Sequence, residues 1–224
     1  MKTLTIEGKT VSVFPGRTAD APAVYLHTYA EEGPQVLAAL QAKQLPDFSL
    51  VVISGLDWNH DMVPWDHPPV FKNTPPCTAG ADEYLALLTG VLLPAAEAEL
   101  PGVPAWRGLA GYSLAGLFTL YALYHTGLFS RAASVSGSLW FPGIQEYIFF
   151  HEPVRTPDCL YFSLGDKEAK TRNALLQTVQ KNTEAIQAHF QRQGIRTRFI
   201  QNPGNHYNHA AARTAAGIAW LLTQ

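Results

Sequence analysis

The sequence predicts one α/β domain spanning residues 1–224: a mostly parallel, twisted sheet with helices on both faces and an antiparallel N-terminal hairpin. Three observations predict it. Apolar stretches of strand length alternate with stretches of helical periodicity, the pattern of successive βαβ units. One stretch, FSLVVIS at 48–54, is apolar and β-branched throughout, as expected of a strand covered on both faces. And 224 residues at 47% apolar and 15% charged suffice for one sizeable core while excluding disorder.

The elements follow in order. Leu4 and Ile6, then Val11 and Val13, alternate on either side of the Glu7-Gly8 turn and read as a hairpin. AVYLH at 23–27 is a short strand after the Pro22 break, and Val36, Leu37 and Leu40 space a helix over about 34–43. The 48–54 strand leads into a long loop, 55–80, rich in Trp, His, Asp and Pro. Leu85, Leu88, Val91 and Leu92 mark one side of a helix over 82–100. WRGLAG (106–111) is a strand and 114–127 a helix closed by Gly127; AASVSGS (132–138) and CLYFSLG (159–165) are strands. An amphipathic helix over 171–192, the strand RTRFIQ (196–201) and a helix over 209–223 complete the chain.

Bulk properties narrow the function classes. The formal net charge is −2 with no Lys/Arg cluster, so a nucleic-acid partner is not expected. No stretch reaches the roughly 18 apolar residues of a membrane helix, and the N-terminus lacks the apolar run of a signal peptide. Cys77 and Cys159 have no metal or redox spacing. The expectation is a cytoplasmic protein with reduced thiols and no membrane partner.

The stretch RGLAGYSLAGLF (107–118) holds the first candidate for chemistry. It approximates G-x-S-x-G, with Gly111 and Ser113 in place, Ala115 where the second glycine is usual, and Gly116 one residue late. The context is strand before and helix after, as a nucleophile elbow requires. A sharp turn there lifts the serine Oγ clear of the sheet, and the helix start behind it offers free N–H groups to an oxyanion. The alternative is a serine that merely caps the helix.

A nucleophilic serine needs a base, and the base an orienting acid, in the chain order Ser, Asp/Glu, His. After Ser113 the next strand ends in GDKE, presenting Asp166 and Glu168, and the last strand leads into QNPGNHYNH, presenting His206 and His209. His206, just past the Pro203-Gly204 turn, is the expected base, and His209 a helix-start residue. Glu168 is the expected acid, with Asp166 as the alternative or as the holder of the following turn. For the oxyanion, the N–H of Leu114 and that of Tyr29 are the expected donors, with Thr28 in reserve. His206 and His209 also lie three apart, and His60, His67, Asp57, Asp61 and Asp66 crowd the 55–80 loop. No H-E-x-x-H or Cys/His set accompanies them, so neither a metal nor another cofactor is expected.

With these residues assembled, the chain resembles the Putative esterase family of the α/β-hydrolase superfamily, the group of ferric-siderophore ester hydrolases and esterase D-like enzymes. YLHTYAEEG, GLDWNHDMVPW, GLFSRAASVSGSLW, SLGDKE and PGNHYNHAAARTAAGIAWLL carry the resemblance over nearly the whole chain. It implies an α/β-hydrolase fold and a serine esterase with Ser113 as nucleophile and His206 as base. Asn59 or His60 stands where the family usually has Arg, and Thr28 where a glycine is common. Some siderophore-type members work with a Ser–His pair, which leaves the role of Glu168 open. About 20 residues separate SLWFPG from the next strand, too few for a large cap domain. The expected pocket is open, roofed by the 55–80 loop with Trp58, Trp65 and Phe71, and contacted by Trp140, Trp58 and Asn59. A small-molecule ester is the expected substrate; an inactive binding protein on the same fold and a metal-dependent hydrolase are the rival expectations.

Overall fold

A computed structural model describes residues 1–29, 32–70 and 73–224; Phe71 lies outside them. Eight strands form one sheet in the order β1-β2-β4-β3-β5-β6-β7-β8. They are β1 (Lys2–Ile6), β2 (Lys9–Phe14), β3 (Ala23–His27), β4 (Ser49–Ser54), β5 (Arg107–Tyr112), β6 (Arg131–Val135), β7 (Cys159–Gly165) and β8 (Arg196–Asn202). Pairings β1–β2 and β2–β4 are antiparallel and the other five are parallel. This is the α/β-hydrolase arrangement with its N-terminal hairpin.

Strand alternation divides the core into two layers. Tyr25, Val51, Ile53, Leu160 and Phe162 face one side, and Val24, Leu26, Leu50, Val52 and Tyr161 the other. Helices α1 (Glu32–Gln41) and α8 (Ala210–Leu222) cover the second side, with Val36, Leu40, Ile218 and Leu221 turned inward. The first side is covered by α3 (Ala81–Leu87), α4 (Leu93–Glu97), α5 (Leu114–Ala122), α6 (Ile144–Phe150) and α7 (Val179–Arg192), while the short α2 (Trp58–Asp61) lies in the long loop. Each buried large apolar side chain contributes about 1.5–3 kcal/mol, so both layers are needed to hold the sheet.

Several boundaries differ from expectation for local reasons. The expected 82–100 helix runs from Ala81 to Glu97 through a π turn at Leu88–Leu92, just where Pro94 has no N–H to return to the preceding turn. The expected 171–192 helix begins only near Leu176, because Asn173 Oδ1 accepts the Leu175 N–H at 3.0 Å and its Nδ2 donates to the Val70 carbonyl. The strand expected over 132–138 stops at Val135, since Ser136 takes φ 44° and leaves the sheet. The expected 114–127 helix ends at Ala122, and i→i−3 turns carry the chain on toward Gly127. Helix α6 lay in a stretch to which periodicity assigned no element.

Register places the functional loops. His27 aligns with Gly111, Gly111 with Ser134, Val135 with Ser163, and Gly165 with Asn202. The loops beyond these carboxyl ends, which carry Tyr29, Ser113, Ser138, Glu168 and His206, therefore gather at one edge, where open α/β sheets place their binding crevices.

Candidate active site

Ser113 sits between β5 and α5 with φ 58° and ψ −123°, a conformation that non-glycine residues rarely adopt. Neighbouring backbone holds it there: its N–H donates to the Val135 carbonyl at 3.1 Å, and its own carbonyl accepts from Ser138 N–H at 2.9 Å. Glycine packing makes the turn possible. A Cβ on Gly111 would overlap the Ala115 carbonyl and methyl, closer than real Cβ contacts come. Ala115 is tolerated because Gly111 has no side chain. Gly116 has its own function, since a Cβ there would lie 2.8 Å from Gly137 Cα. The late glycine brings α5 against the loop after β6.

His206 Nε2 lies 3.1 Å from Ser113 Oγ, and His206 Nδ1 lies 2.8 Å from Glu168 Oε2. The other carboxylate oxygen, Oε1, accepts from Gly165 N–H at 2.6 Å, Ser136 Oγ at 2.8 Å and Arg213 Nη1 at 3.2 Å. The Glu168 and Arg213 side chains are only 4% and 3% exposed, so this is a buried ion pair with nearly every position satisfied. Burial pushes the Glu168 carboxyl upward, but the bond and charge of His206 and the Gly165 and Ser136 donors outweigh it and hold the carboxyl below its usual 4.5. Tyr112 Oη donates to the His206 carbonyl at 2.5 Å and lies 3.4 Å from Arg213 Nη1. One buried arginine thereby ties the acid to the backbone that carries the histidine.

The remaining expected residues fall as follows. Asp166 points away and accepts the Gly204 N–H at 2.7 Å, holding the turn before His206. His209 stands at the start of α8 in the left-handed region, φ 58°, and makes no side-chain cap. Leu114 opens α5, so its N–H is one of the first-turn donors without an intrahelical acceptor. Thr28 is no longer a candidate donor, because its N–H is given to the Ile53 carbonyl at 3.0 Å. The Tyr29 N–H faces the Glu32 carboxyl, which burial raises and this donor draws partly back.

Ser113 lines a small cleft of about 160 Å³ together with Trp58, Asn59, Leu114, Ser138 and Trp140, and it also lines two larger ones. One, of about 390 Å³, is walled by Trp140, Leu176 and Val179 and bordered by Lys167 and Lys170. The other, of about 630 Å³, is lined by Tyr29, Glu32, Asp57, Trp58 and Asn59. The Tyr29 and Trp58 rings meet edge to face at 5.4 Å. The 55–80 loop is divided in its role. Trp58 and Asn59 face the cleft, whereas Trp65 packs inward on Tyr121, Phe141 and Tyr147 and donates Nε1–H to the Pro142 carbonyl at 2.7 Å. Among the described residues, no three His, Cys, Asp or Glu side chains gather as a metal ion would require. No helix among them is long and apolar enough to cross a membrane.

Sequence reasoning missed Ser136, Ser138, Tyr112 and Arg213. Ser138 Oγ is 3.3 Å from Ser113 Oγ, and it belongs to a segment that reads as strand. Arg213 did leave a signal. It is the one charged residue in AAARTAAGIAWLL, where an apolar helix face leaves it no exit to solvent.

Comparison with known proteins gives the family and agrees with the fold. The family model described as Putative esterase matches residues 27–210. A Bacillus subtilis (strain 168) protein, YbbA, described as uncharacterized, is 23% identical over 181 residues, 78% of this chain and 72% of that protein. The siderophore hydrolase EstA from Aspergillus nidulans superposes with TM-score 0.78 at 18% identity, covering 99% of this chain and 93% of that one. An IroE-like serine hydrolase from Shewanella oneidensis superposes with TM-score 0.82 at 19% identity, covering 99% and 79%.

Proposed function

The chain belongs to the Putative esterase family, whose members are carboxylic ester hydrolases, and from that premise we propose that it cleaves esters through a Ser113–His206–Glu168 triad and an acyl-enzyme. The observation that carries the proposal is the continuous chain of contacts, 3.1 Å from Ser113 Oγ to His206 Nε2 and 2.8 Å from His206 Nδ1 to Glu168 Oε2.

With Glu168 accepting from Nδ1–H, the Nε2 lone pair is left to face Ser113. His206 Nε2 takes the serine proton as Oγ attacks the ester carbonyl. The resulting oxyanion is held by the N–H groups of Leu114 and Tyr29. To do so the Tyr29 N–H must exchange the Glu32 carboxyl for the oxyanion. The C–O bond breaks, and the alcohol leaves with the proton from His206. Water, deprotonated by His206, then attacks the acyl carbonyl, and Ser113 recovers its proton as the acid departs. Trp140 contacts substrate from one cleft, Trp58 and Asn59 from the other. A cytoplasmic setting and a small-molecule ester substrate are part of the same proposal, and siderophore-type or short acyl esters are its first substrates to screen.

The test is labelling with a fluorophosphonate, which reacts only with an activated serine. One adduct per chain, mapped to Ser113 and suppressed in His206→Ala, is expected. No adduct on the folded protein would favour a binding protein with a dead site. Hydrolysis that chelators stop and Ser113→Ala leaves intact would favour a metal hydrolase.

A further inference from the structure

The two larger clefts at Ser113 carry opposite charge. On the Trp140 side the rim residues are Lys167 and Lys170, both exposed and neither in an ion pair among the described residues. Among the described residues the one carboxylate lining that side, Glu168, is buried and neutralised by Arg213. The Tyr29 side, among the described residues, presents Glu32 and Asp57 and no lysine or arginine. In a chain with a formal net charge of −2, this is a local reversal of sign placed across the nucleophile. The lining of the Trp140 cleft includes apolar surface from Trp140, Leu176 and Val179.

We propose that the Trp140 cleft selects esters carrying a free carboxylate at the end of an apolar segment, with Lys167 and Lys170 as specificity-determining residues. The inference rests on the ester-hydrolase reading of Ser113. An apolar segment lies along Trp140, Leu176 and Val179 and delivers its carboxylate to the two ammonium groups. The same substrate turned end for end would bring that carboxylate against Glu32 and Asp57, so the charge pattern fixes orientation as well as preference. The backbone prepares the rim: Lys167 N–H donates to the Gly204 carbonyl at 3.0 Å and Lys170 N–H to the Lys167 carbonyl at 3.1 Å, a compact turn that sets both side chains at the cleft mouth. Exposed ion pairs are weak individually, so a preference of about fivefold is expected from the pair.

The experiment compares kcat/KM for the mono-4-nitrophenyl ester of adipic acid with that for 4-nitrophenyl hexanoate, which has the same acyl length without the charge. A second comparison puts the charge on the alcohol, using the acetyl ester of a phenol bearing a propionate chain and its neutral amide. The expected result is a preference of about fivefold for the anionic member of at least one pair at low ionic strength, fading toward parity near 0.5 M salt. Lys170→Glu and Lys167→Glu, each checked for an unchanged melting temperature, should push that ratio below one. Hydrolysis of the neutral esters with no anionic preference, or a preference that neither substitution alters, overturns this proposal alone. Failure to hydrolyse any of the esters, with Ser113 unlabelled by the phosphonate, overturns the serine reading and this proposal with it.

Discussion

Arg213 Nη1 lies 3.2 Å from Glu168 Oε1, and both side chains are almost wholly removed from solvent. The pair is the hinge of the site, because the same guanidinium reaches the Pro203 carbonyl at 2.9 Å, on the turn that leads to His206. Removing one partner of such a pair leaves the other charge buried and uncompensated, at a cost of about 3–5 kcal/mol. Arg213→Met should therefore lower both the urea midpoint and kcat, and Arg213→Lys should recover part of each. Equal stability of Arg213→Met and the parent would contradict the pairing.

Glu168→Gln keeps the shape of the side chain and removes its charge. In the proposed mechanism the amide no longer stabilises the imidazolium and can favour the wrong tautomer of His206. A loss of roughly 10²–10⁴-fold in kcat is expected, with KM changed much less. Full activity would mean that a Ser113–His206 pair suffices.

Gly111→Ala places a methyl on the Ala115 carbonyl. Because the obstacle is backbone, the helix must shift, and a stability loss of about 3 kcal/mol is expected with most activity gone. Ala115→Gly should cost only about 1 kcal/mol through helix propensity. Adding it to Gly111→Ala should not restore the turn. Denaturant titrations of the three variants decide this.

Stability should also depend on pH through two groups whose windows open at different pH, His27 below 6.5 and Glu168 below 4.5. His27 is fully buried beside Tyr84 and Phe118, without a well-formed hydrogen bond to either ring nitrogen, and burial lowers it from 6.5 to about 3. Its folded form stays neutral while the unfolded form takes a proton, so stability falls as pH drops from 6.5 toward 3, by about 2 kcal/mol at pH 5. Glu168 acts lower: with its folded value depressed, its stabilisation is present above the unfolded 4.5 and is lost as pH falls through the folded value. Unfolding titrations at pH 7.5 and 5 should show the first slope, and His27→Leu should flatten it. An unchanged slope in that variant would assign it elsewhere.

How much of this was legible in the sequence follows from where the information lies. β3 and β7 were readable to the residue, since a short apolar run bounded by turn residues has few other solutions. The order Ser113, Glu168, His206 was readable because each stands just beyond a strand end. The tight contact at Gly111 was foreseen in kind, but the partner of Gly116 was not, because Gly137 is 21 residues away in a loop. Helix starts were misjudged where a single side chain, Asn173, competes for the backbone. Arg213 was missed because its purpose is defined only by a carboxylate 45 positions away. Long-range polar pairing leaves no periodicity.

The central claim is that Ser113 is the nucleophile, and the most direct measurement is ester hydrolysis by Ser113→Ala. The variant should keep the melting temperature of the parent or exceed it, because alanine replaces only a hydroxyl, and its turnover of a 4-nitrophenyl ester should fall to the uncatalysed background. Undiminished turnover by the folded Ser113→Ala protein would contradict the account.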